Sequence, residues 1–251
     1  MTRARILQLA IVAATVAILE ILCRSGSIDR FTMIPPSEML TSLISVVGGK
    51  TWFWPDATYT LRNLAAAILL SVVGGFLIGL MVHAIPRLRR AIDPIFTSYY
   101  SVPTFVLYPL LIVVFGIGPL SLIVMGALFG IVAMIVATLT ALDRIPDVLL
   151  KSARVSRLGP IRTAFLMKLP AAAPHLLTGL RLAVAYSIIG IIAGEFILST
   201  AGIGRRVALA YNNFDSQTMY ALMLLILGFA VAVNAVLSAF EQSLRRRWYR
   251  S

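Results

Sequence analysis

Long apolar runs separated by short polar connections occupy most of the chain. Six of these runs are close to the roughly 20 residues that a helix needs to cross the hydrocarbon core of a bilayer. Because a backbone in lipid must satisfy its own hydrogen bonds, each run is predicted to be a helix. The pattern therefore predicts an all-α integral membrane protein with about six transmembrane helices. The runs cover residues 6–22, 61–83, 92–115, 120–142, 180–198 and 219–244.

The composition agrees with this class. Hydrophobic residues make up 59% of the chain and charged residues 13%, and the mean hydropathy is +0.93, which is more apolar than a soluble domain requires. No shift in composition marks a separate soluble part, so residues 1–251 are predicted to form one domain. The first run continues to Arg24 without a small-residue cleavage site, so it is interpreted as a retained span.

The distribution of positive charge predicts the orientation. The net charge is +12, which in a soluble protein would suggest nucleic acid, but here 16 of the 22 lysines and arginines fall on one side of the predicted membrane. The positive-inside rule places that side, with both termini, in the cytoplasm, and no nucleic-acid partner is expected. The 16 residues are Arg3, Arg5, Arg87, Arg89, Arg90, Arg144, Lys151, Arg154, Arg157, Arg162, Lys168, Arg181, Arg245, Arg246, Arg247 and Arg250.

Small residues recur four positions apart in three of the predicted spans. Such spacing lets helix backbones approach closely, since lipid provides no hydrophobic drive for helix association. We interpret the pairs as packing positions rather than ligand sites. They are Gly75 with Gly79, Gly126 with Gly130, and Gly190 with Gly194.

The sequence lacks the usual signatures of an enzyme. It contains no GxxxxGK[ST] phosphate loop, no GxSxG elbow and no HExxH helix. His83, His175 and Cys23 lack metal-ligand spacing, so no metal site is predicted. The chain itself is therefore not expected to hydrolyse ATP or to hold a cofactor, and any energy source must come from a partner.

Two carboxylates lie in or near the spans. Glu20 is interpreted as a residue of the membrane edge. Glu195 stands in IIAGEFIL, near the predicted outer end of the fifth run. A charge in the membrane is usually partnered or faces a cavity, so Glu195 is either a structural hydrogen-bond partner or part of a translocation path.

A basic segment, defined here as residues 144–175, separates the fourth and fifth runs. Its stretch LLKSARVSRLGPIRTAFLMKLPAAAPH is helical in pattern and too organised for a simple connection. An amphipathic helix with anchors at i, i+3 and i+4 can dock in a groove of a partner, and the cations can meet acidic groups or lipid headgroups. Alternatively, they only enforce topology. The anchors are Leu149, Leu150, Ala153 and Leu158, and the cations are Arg154, Arg157 and Arg162.

The same segment resembles the cytoplasmic "EAA" loop of permeases in bacterial ABC importers, in particular the nitrate, sulfonate, taurine and bicarbonate subgroup. The likeness extends through ILEILCR, MIPPSEML, YSVPTFVLYPLLIVVFGIG and GEFILSTAGIG to the basic LRRRWYR at the C-terminus. The resemblance implies a type I importer permease of the bacterial inner membrane, with a cytoplasmic coupling helix. It also implies four kinds of neighbour: a second permease, identical or homologous, two cytoplasmic ATP-binding subunits that bind ATP and Mg, an external solute-binding protein, and the lipid bilayer.

The resemblance assigns coupling to the ATPase to eight positions. Ala153 matches the second alanine of the motif, and Leu169 with Pro170 matches its closing Leu-Pro. The chain departs from the motif at three places, where Lys151 replaces glutamate, Ser152 replaces alanine and Arg157 replaces glycine, with Gly159 two residues later. The departures favour pairing with a non-identical permease. The eight residues are Lys151, Ser152, Ala153, Arg154, Arg157, Gly159, Leu169 and Pro170.

By the same resemblance, the translocation path is expected to include Thr104, Tyr108, Ser187 and Glu195. The transported solute remains open among sulfonates, nitrate, taurine, aromatic acids and vitamin precursors. Two other classes stay as alternatives: a membrane channel or secondary carrier working alone, and a membrane-embedded enzyme. The first lacks the expected polar relays, and the second lacks a catalytic constellation.

Overall fold

The computed structural model describes residues 2–30, 32–99, 101, 103–156 and 159–248, and within these ranges the chain is helical without strands. We call the end of the bundle that holds Phe53 and Pro119 the outer end, following the predicted orientation, and the opposite end the inner end. The helices are α1 (Thr2–Arg24), α2 (Pro36–Gly49), α3 (Phe53–Ala84), α4 (Pro86–Tyr99), α5 (Tyr108–Phe115), α6 (Pro119–Asp143), α7 (Asp147–Val155), α8 (Pro160–Thr163), α9 (Leu169–Ile197), α10 (Ile203–Asn212) and α11 (Ser216–Trp248).

Helix α6 is the centre of the bundle and packs along its length against α3 and α9. The predicted glycine pairs lie in these two contacts. A Cβ on Gly75 would lie 2.7 Å from the Met134 side chain, and one on Gly130 would lie 2.6 Å from Ser187 Oγ. The interpretation of the pairs as packing positions is therefore confirmed. The remaining contacts are Gly79 on Thr138, Gly126 on Ile191, Gly190 on Phe129 and Gly194 on Leu122.

Five helices in the described part of the chain are long and apolar enough to cross a membrane: α1, α3, α6, α9 with the turn before it, and α11. The third predicted run, 92–115, is not one helix, so the expectation of a continuous helix there was wrong. Proline interrupts the run, because it lacks the backbone N–H and keeps the preceding residue out of the helical region. Helix α4 ends at Tyr99, a 3₁₀ turn covers Thr104–Leu107, and α5 begins at Tyr108.

The interrupted run nevertheless extends from the inner end to the outer end. At the inner end, Arg89 of α4 donates to Asp143 Oδ1 at 2.6 Å. Midway along α6, the Tyr99 hydroxyl donates to the Leu128 carbonyl at 2.8 Å. At the outer end, the Tyr108 hydroxyl donates to the Leu198 carbonyl at 2.6 Å. Non-helical backbone at this depth is tolerated only when protein or a water-filled cavity surrounds it.

Helix α9 begins eleven residues before the predicted fifth span. A π-helical turn, Ala164–Lys168, leads directly into it, and the candidate span in the structure covers Leu166–Ile197. Arg181, which was counted with the cytoplasmic cations, therefore lies inside the span. The sequence pattern placed it at the inner edge of the fifth run, 180–198, because the helix before it passes through residues of mixed hydropathy.

Helix α1 touches the rest of the chain mainly through α2, and its span is almost entirely exposed. The Glu20 carboxylate binds the backbone N–H and the hydroxyl of Ser37, at 3.0 and 2.6 Å, and pairs with Arg24 at 2.6 Å. The short helix α2 lies at the outer end, where it begins at Pro36, and packs on α11.

Candidate functional site

A buried polar network joins α3, α9 and α10 at the outer end. The Glu195 carboxylate, 1% exposed, accepts hydrogen bonds at Oε2 from the Thr60 hydroxyl at 2.9 Å and from the Gly204 N–H at 3.0 Å. Its other oxygen, Oε1, is buried without a hydrogen-bond partner in the described part of the chain. Of the two roles open for Glu195, the geometry supports the structural one.

The network satisfies the first backbone amides of α10. Those amides have no partners inside their own helix, and the positive end of the helix dipole favours carboxylates. The Ile203 N–H donates to Thr60 Oγ1 at 2.9 Å, and the Gly202 N–H donates to Asp56 Oδ1 at 3.0 Å. Helix α10 is thereby fixed to both α3 and α9.

Arg206 extends the buried polar network to the surface of the chain. Its guanidinium pairs with the other oxygen of Asp56 and lies 4.5 Å from the centre of the Trp52 ring, a cation–π geometry. Asp56 is 5% exposed, so its charge is compensated by an adjacent cation rather than by water.

Gly202 is the residue that makes the network possible. Its φ of +110° lies in the region that disfavours side chains, and a Cβ there would lie 2.4 Å from the Glu195 carboxyl carbon. The carboxylate can therefore reach the amides of α10 only across a glycine. The sequence held a signal for this arrangement, because Gly202 and Gly204 follow Glu195 within ten residues.

All four residues expected in the translocation path are buried within this chain. Ser187 Oγ lies 3.2 Å from Ser71 Oγ, and Tyr108 bonds to the Leu198 carbonyl. Thr104 belongs to the 3₁₀ turn in the interrupted span, and only Glu195 is part of the outer network. A role for these residues in the path stays a prediction.

The basic segment forms α7, α8 and the π-helical turn between the inner ends of α6 and α9. Ala153 is 3% exposed, so its side chain is packed by this chain itself. Helix α7, which carries it, contacts the π-helical turn. Of the expected apolar anchors, Ala153 therefore does not face outward and Leu149 is half-buried, while the Leu150 side chain and Leu158 lie outside the described residues. An amphipathic helix buries its more apolar face against its own domain first.

The exposed face of α7 carries a different stripe. Val148 and Val155 are 71% and 85% exposed, and Lys151 and Ser152 are exposed between them. These four positions have i, i+3, i+4 and i+7 spacing and share one face. We refer to them as the α7 stripe.

The structure describes some of the other predicted coupling residues and leaves others outside the described ranges. Leu169 and Pro170 are exposed in the first turn of α9. Gly159 has open space where a Cβ would be and no positive φ, so its position does not require glycine. Arg157 and Leu158 lie outside the described residues, as does the Arg154 side chain.

Comparison with known proteins shows which family this architecture matches. The model of the family described as "Binding-protein-dependent transport system inner membrane component" matches residues 71–249. The taurine transport system permease protein TauC of Escherichia coli is 27% identical over 84% of this chain and 78% of its own length. A probable ABC transporter permease protein of Haemophilus influenzae is 26% identical over 90% of this chain and 91% of its own length.

The fold has a solved counterpart. A chain of the MetNI methionine ABC transporter, in an inward-facing conformation, superposes with a TM-score of 0.67 at 17% identity, covering 78% of this chain and 99% of that chain. The interrupted crossing, the central α6 and the basic segment before α9 all lie within the residues that the family model matches. The chain belongs to the family of inner membrane components of binding-protein-dependent transport systems, as a permease subunit of an ABC importer.

Proposed function

We propose that this chain pairs with a second permease, identical or homologous, and that the pair binds two cytoplasmic ATP-hydrolysing subunits through the α7 stripe. An external binding protein delivers a small solute to the outer end. ATP and Mg bind to the partner subunits. The named solutes of the relatives include taurine, nitrate and bicarbonate, and each of these carries an anionic group.

The observation that carries the proposal is the position of the α7 stripe. Helix α7 connects the inner ends of α6 and α9, the two helices that pack most closely on each other in the bundle. A force applied to α7 is therefore transmitted directly to the centre of the membrane domain. Exposed apolar residues beside a cation suit an amphipathic helix that enters a partner's groove.

A docking test should use the exposed stripe. Val155→Asp adds a charge where a partner would exclude water, and an unpaired buried charge is costly. Because Val155 is 85% exposed in this chain, the variant should insert and fold normally. We expect a loss of at least about tenfold in copurifying ATPase and a parallel loss of solute uptake.

Arg162→Ala is the matched control. Arg162 is exposed in α8, beyond Gly159 and outside the stripe, so its removal should leave ATPase copurification close to wild type. Undiminished copurification and uptake in Val155→Asp would refute docking through α7. Strong ATPase activity in the isolated chain would refute the division of labour between subunits.

A further inference from the structure

Arg181 is a charged residue near the middle of the membrane domain. It lies in α9 between Gly179, which packs on Ala137 of α6, and Ala183, whose carbonyl faces Gly130 of α6. At 1.5 Å per residue this level is roughly 15 Å from the inner end of α6 at Asp143. Since the hydrocarbon core is about 30 Å thick, the backbone of Arg181 lies close to its centre.

The charge of Arg181 is not compensated within the described residues. Its Nε donates to Asn234 Oδ1 of α11 at 2.6 Å, and none of the ion pairs in the described part of the chain includes it. A guanidinium has five N–H donors, so one amide oxygen leaves most of them available. An intramembrane cation without a carboxylate partner is a candidate for ligand binding.

The space beside Arg181 opens into a groove between α9 and α11. A cavity of about 180 Å³ is lined by Arg181 and Asn234, and a larger one of about 640 Å³ continues toward the outer end. The two cavities share Ile188, Ile189 and Ala230. The walls of the outer part are aliphatic and aromatic, with Phe105 of the 3₁₀ turn among them.

We propose that this groove, called here the Arg181 groove, binds an organic anion whose acidic group pairs with Arg181 and whose apolar body lies against the groove walls. The inference rests on the proposed function, because it gives the transported solute a site in the membrane domain. A guanidinium fork suits a sulfonate or carboxylate, which accepts two parallel hydrogen bonds. A cationic solute is repelled.

The apolar walls of the Arg181 groove favour some anions over others. A small hydrated anion such as nitrate gains little from aliphatic surfaces in exchange for its water, whereas an alkyl or aryl body gains from burial. A phospholipid is also distinguished, because its phosphate lies at the membrane surface and Arg181 lies near the centre. The occupant is therefore a solute with one anionic end and an apolar body.

The test uses the full chain, co-expressed with its ATPase subunits and held in lipid nanodiscs. Ala185→Cys in a Cys23→Ser background places one thiol on the groove wall, one helical turn from Arg181. The thiol is treated with an anionic and a cationic methanethiosulfonate of similar size, sulfonatoethyl and trimethylammonioethyl. A unit charge a few ångströms away changes each rate by about fivefold even in water, so the anionic reagent should react faster.

Three variants separate charge from structure. Arg181→Gln should lower the ratio of anionic to cationic rates at least about fivefold, while Arg181→Lys should largely keep it. Arg87→Gln, an exposed arginine of α4, controls for net charge and should keep the ratio. With Arg181 intact, p-toluenesulfonate should slow the reaction of the introduced thiol, whereas p-toluenesulfonamide and nitrate should not.

The outcomes are distinct. No reaction with either reagent would mean that lipid or the second permease fills the groove, and would overturn the proposal. An unchanged ratio in Arg181→Gln, or equal protection by nitrate, would also overturn it. Native mass of the same sample reports the proposed function separately, because absence of ATPase subunits would refute the assembly and leave the groove measurements readable.

Discussion

Thr60 of α3 donates a hydrogen bond to Glu195 of α9 at 2.9 Å, and both side chains are buried. The two residues are separated by 135 positions in the sequence, so this bond joins the second crossing of the membrane to the fifth. It also positions the Thr60 hydroxyl and the Glu195 carboxylate to accept hydrogen bonds from the first N–H groups of α10.

Truncation of Glu195 should destabilise the chain much more than loss of its charge. Glu195→Ala removes the acceptor for the Gly204 N–H and the Thr60 hydroxyl, and a buried donor without a partner costs about 1–3 kcal/mol. Glu195→Gln keeps one oxygen as acceptor and should stay within about 1 kcal/mol of wild type. Thermal unfolding in detergent measures both. Equal melting temperatures for the two variants would contradict the structural role of the carboxylate.

Gly202→Ala should be severe because it combines two effects. The φ of +110° strains any side chain, and the new Cβ would meet the Glu195 carboxylate at 2.4 Å. Gly116→Ala is the matched control, since Gly116 has a φ of +78° with open space around it and adds the strain alone. We expect Gly202→Ala to lose folded protein at expression and Gly116→Ala to lower the melting temperature only modestly. The reverse order would show that α10 is not fixed by Glu195.

Gly130→Ala should loosen the contact of α6 with α9. Its Cβ would lie 2.7 Å from the Ala183 carbonyl and 2.6 Å from Ser187 Oγ, and overpacking of this kind costs about 1–3 kcal/mol. Gly228→Ala in α11 has nothing within 4 Å and should be neutral or stabilising, because alanine favours helix. Unfolding curves recorded side by side test the pair, and a neutral Gly130→Ala would rule out close packing at this level.

Orientation can be read by thiol labelling in intact cells, in a Cys23→Ser background. The charge distribution predicts that Ser45→Cys in α2 and Asn213→Cys after α10 react with an impermeant reagent from outside. Ser156→Cys, after α7, should react only once the membrane is permeabilised. All three positions are exposed in the structure, so burial within this chain does not explain a failure to react. Labelling of Ser156→Cys from outside would invert the proposed topology.

Sequence patterns predicted the packing of the bundle well, because small residues such as Gly126 and Gly130 act through spacing within one helix. They missed features that depend on contacts between distant segments. The Asp56 and Glu195 anchor of α10 joins residues more than a hundred positions apart. The depth of Arg181 was missed for another reason, since a window of mixed hydropathy hid a helix that had already begun at Leu169. The sequence did not reveal the interruption between α4 and α5, because the apolar composition of residues 92–115 resembles that of a continuous transmembrane helix.

The contacts of α6 with its two neighbours contain small residues. Ser71, Gly75 and Gly79 of α3 and Ser187 of α9 face α6, and its own Gly126 and Gly130 touch both helices. The backbone of α6 is therefore in close contact with α3 on one side and α9 on the other. Side chains of this size leave no slack for one helix to slide past the next. We therefore expect α3, α6 and α9 to move as one rigid body when the transporter alternates between its two sides. The change in shape is then expected in the parts of the chain that lack such contacts. These are above all the interrupted backbone between α4 and α5, and helix α11.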